Sequence, residues 1–163
     1  MNNFGLVVIG AHSGIWLSPL LDEHKDQNIL LVEPVPYNIA LLKENTTKYK
    51  NITIETSAVS EKNEIKKFYY VKHDAVKKLG KHWASGIGSF DKQHILNHKY
   101  KRFMVTDIDI EEIDVQYLTF SNLMKKYSVS SIDLLQIDVE GAEFQILNSI
   151  NFEKIEIKKI IFE

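Results

Sequence analysis

No cysteine occurs among the 163 residues, so disulfides and thiolate metal sites are excluded. That absence fits a reducing compartment. A charge excess is also missing: 20 Lys and Arg stand against 22 Asp and Glu, a formal net charge of −2. A non-specific nucleic-acid binder needs a basic face. The longest positive cluster, Lys77-Lys78 with Lys81 and His82, reads instead as a solvated loop or helix face. No apolar run approaches the length of a membrane span. Met1-Asn2-Asn3 places no basic segment ahead of the first apolar run, so a signal peptide is not expected and a cytoplasmic location is. Asn45-Thr46-Thr47 and Asn51-Ile52-Thr53 match the glycosylation pattern, which without a secretory signal is read as chance. There is no internal repeat, low-complexity tract or long linker. What is present, 44 % apolar and 26 % charged residues, is an ordinary globular mix. The length fits one domain over 1–163 with one sizeable core.

The apolar runs set the expected order of elements. Leu6-Val7-Val8-Ile9, ending at Gly10, reads as a buried parallel strand. Ile15 to Glu23 reads as a helix with Pro19 in its first turn or at a kink. A second buried strand, Ile29 to Glu33, is broken by Pro34 and Pro36, and Pro36 can open the next helix, striped by Ile39, Leu42 and Leu41. Ile52 to Glu55 suggests a third strand. Strand alternating with helix argues for a parallel sheet covered by helices. Right-handed crossovers then set the second and third strands progressively to one side of the first. In the middle, Lys67 to Val71 looks like a strand, Ala84 to Ser89 like a loop, and Arg102 to Ile110 like a strand by alternation. Phe120, Leu123, Met124 and Tyr127 fall at helical spacing, read as core packing. Ile132 to Ile137 is the next strand, followed by a helix with Phe144 and Leu147 on one face. Ile157 to Glu163 is the last strand.

Three constellations carry chemistry. Gly10-Ala11-His12-Ser13-Gly14 lies between a strand and a helix, where small residues let the backbone turn tightly and approach a ligand. A helix N-terminus beyond it favours a carboxylate or phosphate, although many α/β units need such a turn for structure alone. Glu33 ends the second strand roughly 20 residues further on, where an acid typically accepts hydrogen bonds from a nucleoside ribose. A dinucleotide would require G-x-G-x-x-G to make room for its pyrophosphate. Here the glycines are spaced Gly-x-x-x-Gly with a bulky His12 between them, which disfavours NAD. Asp138, Glu140 and Glu143 crowd into Asp138-Val139-Glu140-Gly141-Ala142-Glu143 at the end of a strand. Helix capping accounts for Glu143. It accounts poorly for Asp138, which ends a buried strand.

Together these segments resemble the FkbM-type family of class I S-adenosylmethionine-dependent methyltransferases. The resemblance is carried by Val8 to Gly14, by Val32-Glu33-Pro34-Val35-Pro36-Tyr37-Asn38 with Leu42 and Asn45, and by Ala58 to Asn63. Thr119 to Leu123 and, most specifically, Leu134 to Glu143 complete it. It implies a Rossmann-like α/β fold, a mostly parallel sheet with helices on both faces. It implies that Gly10, Ala11, His12 and Gly14 hold the methionine end of S-adenosylmethionine, Glu33 its ribose, and Ser57 and Ala58 the adenine side. Asp138 would lie beside the sulfonium and the acceptor, with Glu140 as a second catalytic carboxylate. Ser85 to Ser89 resembles a serine-containing loop of the family. Two departures stand out. The family usually has an acid where this chain has Val8, and asparagine where it has His12. The C-terminal hairpin and N-terminal helices usual in the family are also not found, as in a fragment, a minimal domain or a degenerate homologue.

The expected activity is O-methylation of a hydroxyl on a sugar or natural-product-like small molecule, with neither nucleic acid nor membrane as partner. Asp138 would take the hydroxyl proton. A divalent cation held by Asp138 with Glu140 or Glu163 is the alternative, and the metal-free version is favoured. The histidines at 12, 24, 73, 82, 94 and 98 show no zinc-ligand spacing, and His94 with His98 reads as a surface helix. The rival to an active enzyme is a catalytically degenerate Rossmann-like binding or assembly module.

Overall fold

Strands covered on both faces need apolar residues at successive positions, and the middle of this molecule is built from such strands. The computed structural model describes residues 2–80, 82–97 and 105–162. They fall into two units, 1–64 with 116–163, and 65–115. The first unit opens with β1 (Asn2–Ile9), α1 (Ser18–Glu23), β2 (Asn28–Val32), α2 (Pro36–Asn45), β3 (Ile52–Glu55) and the two-residue β4 (Ala58–Val59). The chain passes along β5 (Glu64–Val71) into the second unit, which adds α3 (His73–Leu79), β6 (Gly88–Ser89) and α4 (Lys92–Asn97). It leaves along β7 (Ile110–Leu118) and closes with α5 (Phe120–Lys126), β8 (Val129–Ile137), α6 (Glu143–Asn148) and β9 (Glu156–Phe162).

Within the first unit, five parallel strands lie in the order β3-β2-β1-β8-β9. The second and third strands therefore do run to one side of the first, as right-handed crossovers require. Register aligns the strand ends: Ile9 faces Val32 on one side and Ile137 on the other, and Val32 faces Glu55. Gly10, Glu33, Thr56 and Asp138 consequently leave the sheet along one edge. The period of two divides the core. Val7, Ile9, Leu30, Val32, Leu135 and Ile137 pack with Phe120, Leu123 and Met124 of α5 and Ile146 of α6. Leu6, Val8, Ile29, Leu31 and Leu134 pack with Leu17, Leu21 of α1 and Leu42 of α2. Each fully buried Leu or Ile contributes about 1.5–3 kcal/mol. Near its start β1 carries an irregularity between Phe4 and Leu6. A Cβ at Gly5 would overlap the Gln27 side chain, which occupies that space to bond Asp133 Oδ2 at 2.7 Å.

The second unit has its own small core of Val71, Ala75, Val76, Ala84, Ile87, Ile95, Val105 and Ile110. β6 pairs antiparallel with β5, Tyr69 facing Ser89 and Tyr70 facing Gly88. Lys67 pairs with Glu112 at 3.2 Å and Asp114 at 3.3 Å.

Four expectations change. Ala84 to Ser89 is not simply a loop, since a 3₁₀ turn over His82–Gly86 leads into β6. The strand expected over Arg102 to Ile110 begins only at Ile110; residues 102–104 lie outside the described residues. Thr106 and Asp109 instead form a capping box around a 3₁₀ turn at Asp107–Asp109, which bends the chain before it can extend. Phe144 does not share a buried face with Leu147: it is 75 % exposed, and Ile146 takes the core position on α6. The buried residues of α2 are Asn38 and Leu42 rather than an unbroken apolar stripe. Pro19 does sit at the start of α1, after a 3₁₀ turn over Ile15–Leu17.

Candidate functional site

In an open parallel sheet the loops after two neighbouring strands diverge where strand order reverses, leaving a crevice at their carboxyl ends. Here that point lies between β1 and β8. Gly10 follows β1 with φ of 88°, and a Cβ on it would run into the carbonyl oxygen of Asp138. Only glycine meets both conditions. Asp138, half-buried, donates its N–H to Ile9 O at 2.9 Å, stitching the two strand tips together.

The turn after Gly10 folds inward. Gly10 N and Ala11 N both donate to Val32 O, at 3.0 and 2.9 Å, and Gly14 N donates to Ala11 O at 3.1 Å. His12 adopts φ of 50°, which turns its N–H onto Glu33 Oε2 at 2.9 Å. Asn45 Nδ2 donates to Ser13 O at 2.8 Å and ties the turn to the end of α2. Gly14 has φ of 76°, and a Cβ there would sit 2.6 Å from Leu42 Cδ1. The N–H groups of Gly10, Ala11, His12 and Gly14 are thus bonded within the protein.

Glu33 is the residue around which the turn closes. It is 5 % exposed and accepts from His12 N on Oε2, from Val35 N at 2.9 Å on Oε1, and from Asn38 Nδ2 at 3.3 Å on Oε1. A carboxylate offers about four acceptor positions. Three are filled, and Oε2 carries one donor where it can take two. Burial pushes the carboxyl from its ordinary 4.5 up to about 7, against the pull of the Val35, Asn38 and His12 donors. Asn38 sits on α2 one turn before Leu42, and its bond to Glu33 accounts for a polar residue on that buried helix face.

One strand further, Glu55 ends β3 and is equally buried. Its carboxylate accepts from Ser57 N at 3.0 Å, Lys126 Nζ at 2.6 Å and Tyr127 Oη at 2.7 Å. Burial alone would push its carboxyl up; the bonds from Lys126, Tyr127 and Ser57 outweigh that and hold it below its ordinary value. Ser57 and Ala58 are buried beside it, and Ser57 Oγ has no hydrogen-bond partner among the described residues. Sequence reasoning missed Asn38 and Glu55 as site-building groups. The signal for Asn38 was its place in the helix that follows a strand-end acid. For Glu55 there was only its place at a strand end.

On the β8 side, Glu140 and Gly141 turn the chain with φ of 56° and 104°. Glu143 closes this turn by accepting from Val139 N at 2.9 Å and from Gly141 N at 3.0 Å, the capping role expected of it. Those backbone donors hold its carboxyl below the ordinary value although burial opposes them. Glu140 is exposed. Gly10 to Gly14, Glu33, Ser57, Ala58, Asp138 and Glu140 all belong to the first unit, along the carboxyl edge of the sheet. Ser85 to Ser89 belong to the second unit. Glu163 and His98 lie outside the described residues. Val8 is fully buried within the apolar cluster of Leu6, Leu31, Leu42 and Leu134. Among the described residues no group of three or more His, Asp or Glu side chains is arranged to hold a metal ion. No helix among them is long and apolar enough to cross a membrane.

Neither a curated protein nor a solved structure matches the chain significantly. A family model does: that of the methyltransferase FkbM domain, over residues 9–163.

Proposed function

The chain belongs to the FkbM methyltransferase domain family, and we propose that it binds S-adenosylmethionine in the crevice between β1 and β8 and methylates a hydroxyl of a small molecule. The observation that carries this reading is Glu33, a carboxylate buried at the tip of β2 against the glycine turn and still able to accept on Oε2. The residues present suit an adenosyl group. Glu33 accepts from ribose hydroxyls, and Ser57 Oγ, buried without a partner among the described residues, suits a polar edge of the base. The Gly10–Asp138 seam, too tight for a Cβ, keeps the tips of β1 and β8 in backbone contact beside the crevice.

S-adenosylmethionine supplies an electrophilic methyl group on a sulfonium. The protein's own share begins with position, since an acceptor held at near-attack distance reacts in an effectively unimolecular step. A carboxylate beside a sulfonium stabilises a charge that fades during transfer, so it favours binding over rate. For Asp138 to raise the rate, it takes the proton from the acceptor hydroxyl at a carboxylate oxygen. Glu140, exposed on the following turn, orients the acceptor from outside. Sugars and natural-product hydroxyls are the acceptor class this reading names. Transfer of a radiolabelled methyl group from S-adenosylmethionine to such acceptors tests it: label in the product supports it, and none from a folded sample that binds the cofactor removes the catalytic assignment.

One observation favours a second reading. Val8 is sealed in an apolar cluster, so β1 brings no carboxylate at this position toward the cofactor's amino group. A non-catalytic binding or assembly module would retain the fold without that group. Calorimetry separates the two, because the module would give no heat with S-adenosylmethionine or S-adenosylhomocysteine.

A further inference from the structure

A buried carboxylate that serves packing alone is a poor choice, because removing its charge from water costs several kcal/mol unless good partners are supplied. Glu55 has such partners, drawn from distant parts of the chain. Its side chain is 5 % exposed. Lys126 and Tyr127, at the end of α5, reach it across 71 and 72 residues of sequence. Lys126 Nζ also lies 5.6 Å from the centroid of the Tyr127 ring. Two contacts connect this strut to the crevice. Glu33 N donates to Glu55 O at 3.0 Å, so the tips of β2 and β3 are joined. Glu55 Oε1 accepts from Ser57 N at 3.0 Å and fixes the backbone of the residue whose hydroxyl is buried and, among the described residues, unpartnered. A hydroxyl left in that condition is destabilising, a loss that a ligand carrying a donor or acceptor would recover.

We infer that Glu55, braced by Lys126 and Tyr127, is a positioning residue for nucleoside recognition: it holds Ser57 so that the serine hydroxyl bonds the polar edge of the base. The inference rests on the cofactor reading above. Glu55 itself does not touch the ligand. Its effect passes through Ser57, and that makes the two residues energetically dependent.

Calorimetric titration of S-adenosylhomocysteine into the full chain, as wild type, E55A, E55Q, S57A and E55A/S57A, tests this. S57A is expected to weaken binding about fivefold, the weight of one neutral hydrogen bond. E55A should weaken it by a similar factor, and the double variant no further than S57A alone. E55Q keeps an oxygen on Ser57 N only by turning its amide N–H groups toward Lys126 and Tyr127, so it should recover part of the affinity that E55A loses. Should E55A not fold, Y127F and Y127F/S57A take its place in the same cycle. Additive losses, or an S57A variant that binds as wild type does, would overturn the inference while leaving the cofactor reading intact. A folded wild type that gives no heat would end the cofactor reading and this inference with it.

Discussion

Replacing Glu33 with glutamine removes a buried ionisation and leaves the side chain's size unchanged. Burial pushes the Glu33 carboxyl up to about 7 in the folded protein, from the ordinary 4.5 that it has in an unfolded chain. Below pH 4.5 both states are protonated there, and the stability this group permits is fully present. Between 4.5 and 7 the unfolded chain ionises first and binds fewer protons than the folded one, so stability falls as pH rises and levels off above 7. At about 1.4 kcal/mol per pH unit, the change across the window from 4.5 to 7 is about 3 kcal/mol. E33Q cannot ionise and lacks this slope. It also presents an amide N–H toward one backbone donor, His12 N or Val35 N, which costs about 1 kcal/mol at every pH. Urea unfolding of both proteins between pH 4 and pH 9 should show E33Q the less stable at the acid end and the more stable above pH 7. A difference between them that stays flat with pH would refute the account of Glu33 as a desolvated acid held in place by the fold.

Cofactor affinity should follow the same group in the opposite sense: ribose hydroxyls donate best to an ionised Glu33, so the Kd of S-adenosylhomocysteine should fall as pH rises through about 7 and flatten above it. The G10A variant should lose about 2–3 kcal/mol of stability, combining a disfavoured positive φ with overpacking against Asp138; a melting temperature close to wild type would contradict the geometry of the seam. In D138N the methyl-transfer rate should drop by about 100-fold, a typical general-base loss, while affinity for S-adenosylhomocysteine stays nearly constant. Equal losses in both would reassign Asp138 to binding.

The parallel sheet was readable because β1 and β2 carry unbroken apolar runs, and β8 a run interrupted only by Asp133 and Gln136. The glycine turn and Glu33 were readable for a related reason: strand-end positions are set by where those runs stop. β7 was misplaced because Glu111, Glu112 and Asp114 are exposed, the last two paired with Lys67, leaving little periodic signal, whereas the stretch just before Ile110 turns on its Thr106–Asp109 box. Phe144 shows the limit of pattern on a six-residue helix, where a single core position, Ile146, is enough. Asn38 and Glu55 escaped notice as site builders since their importance lies in partners that only folding brings near. Glu33 is five positions from Asn38, but Tyr127 is 72 from Glu55.

Calorimetry of S-adenosylhomocysteine with wild type and with E33A tests the adenosyl crevice most directly. A saturable one-to-one heat for wild type, weakened by about 1–3 kcal/mol in E33A as hydrogen bonds to a charged group are lost, is the predicted result. A folded wild type that binds nothing, or an E33A variant that binds just as tightly, would contradict it.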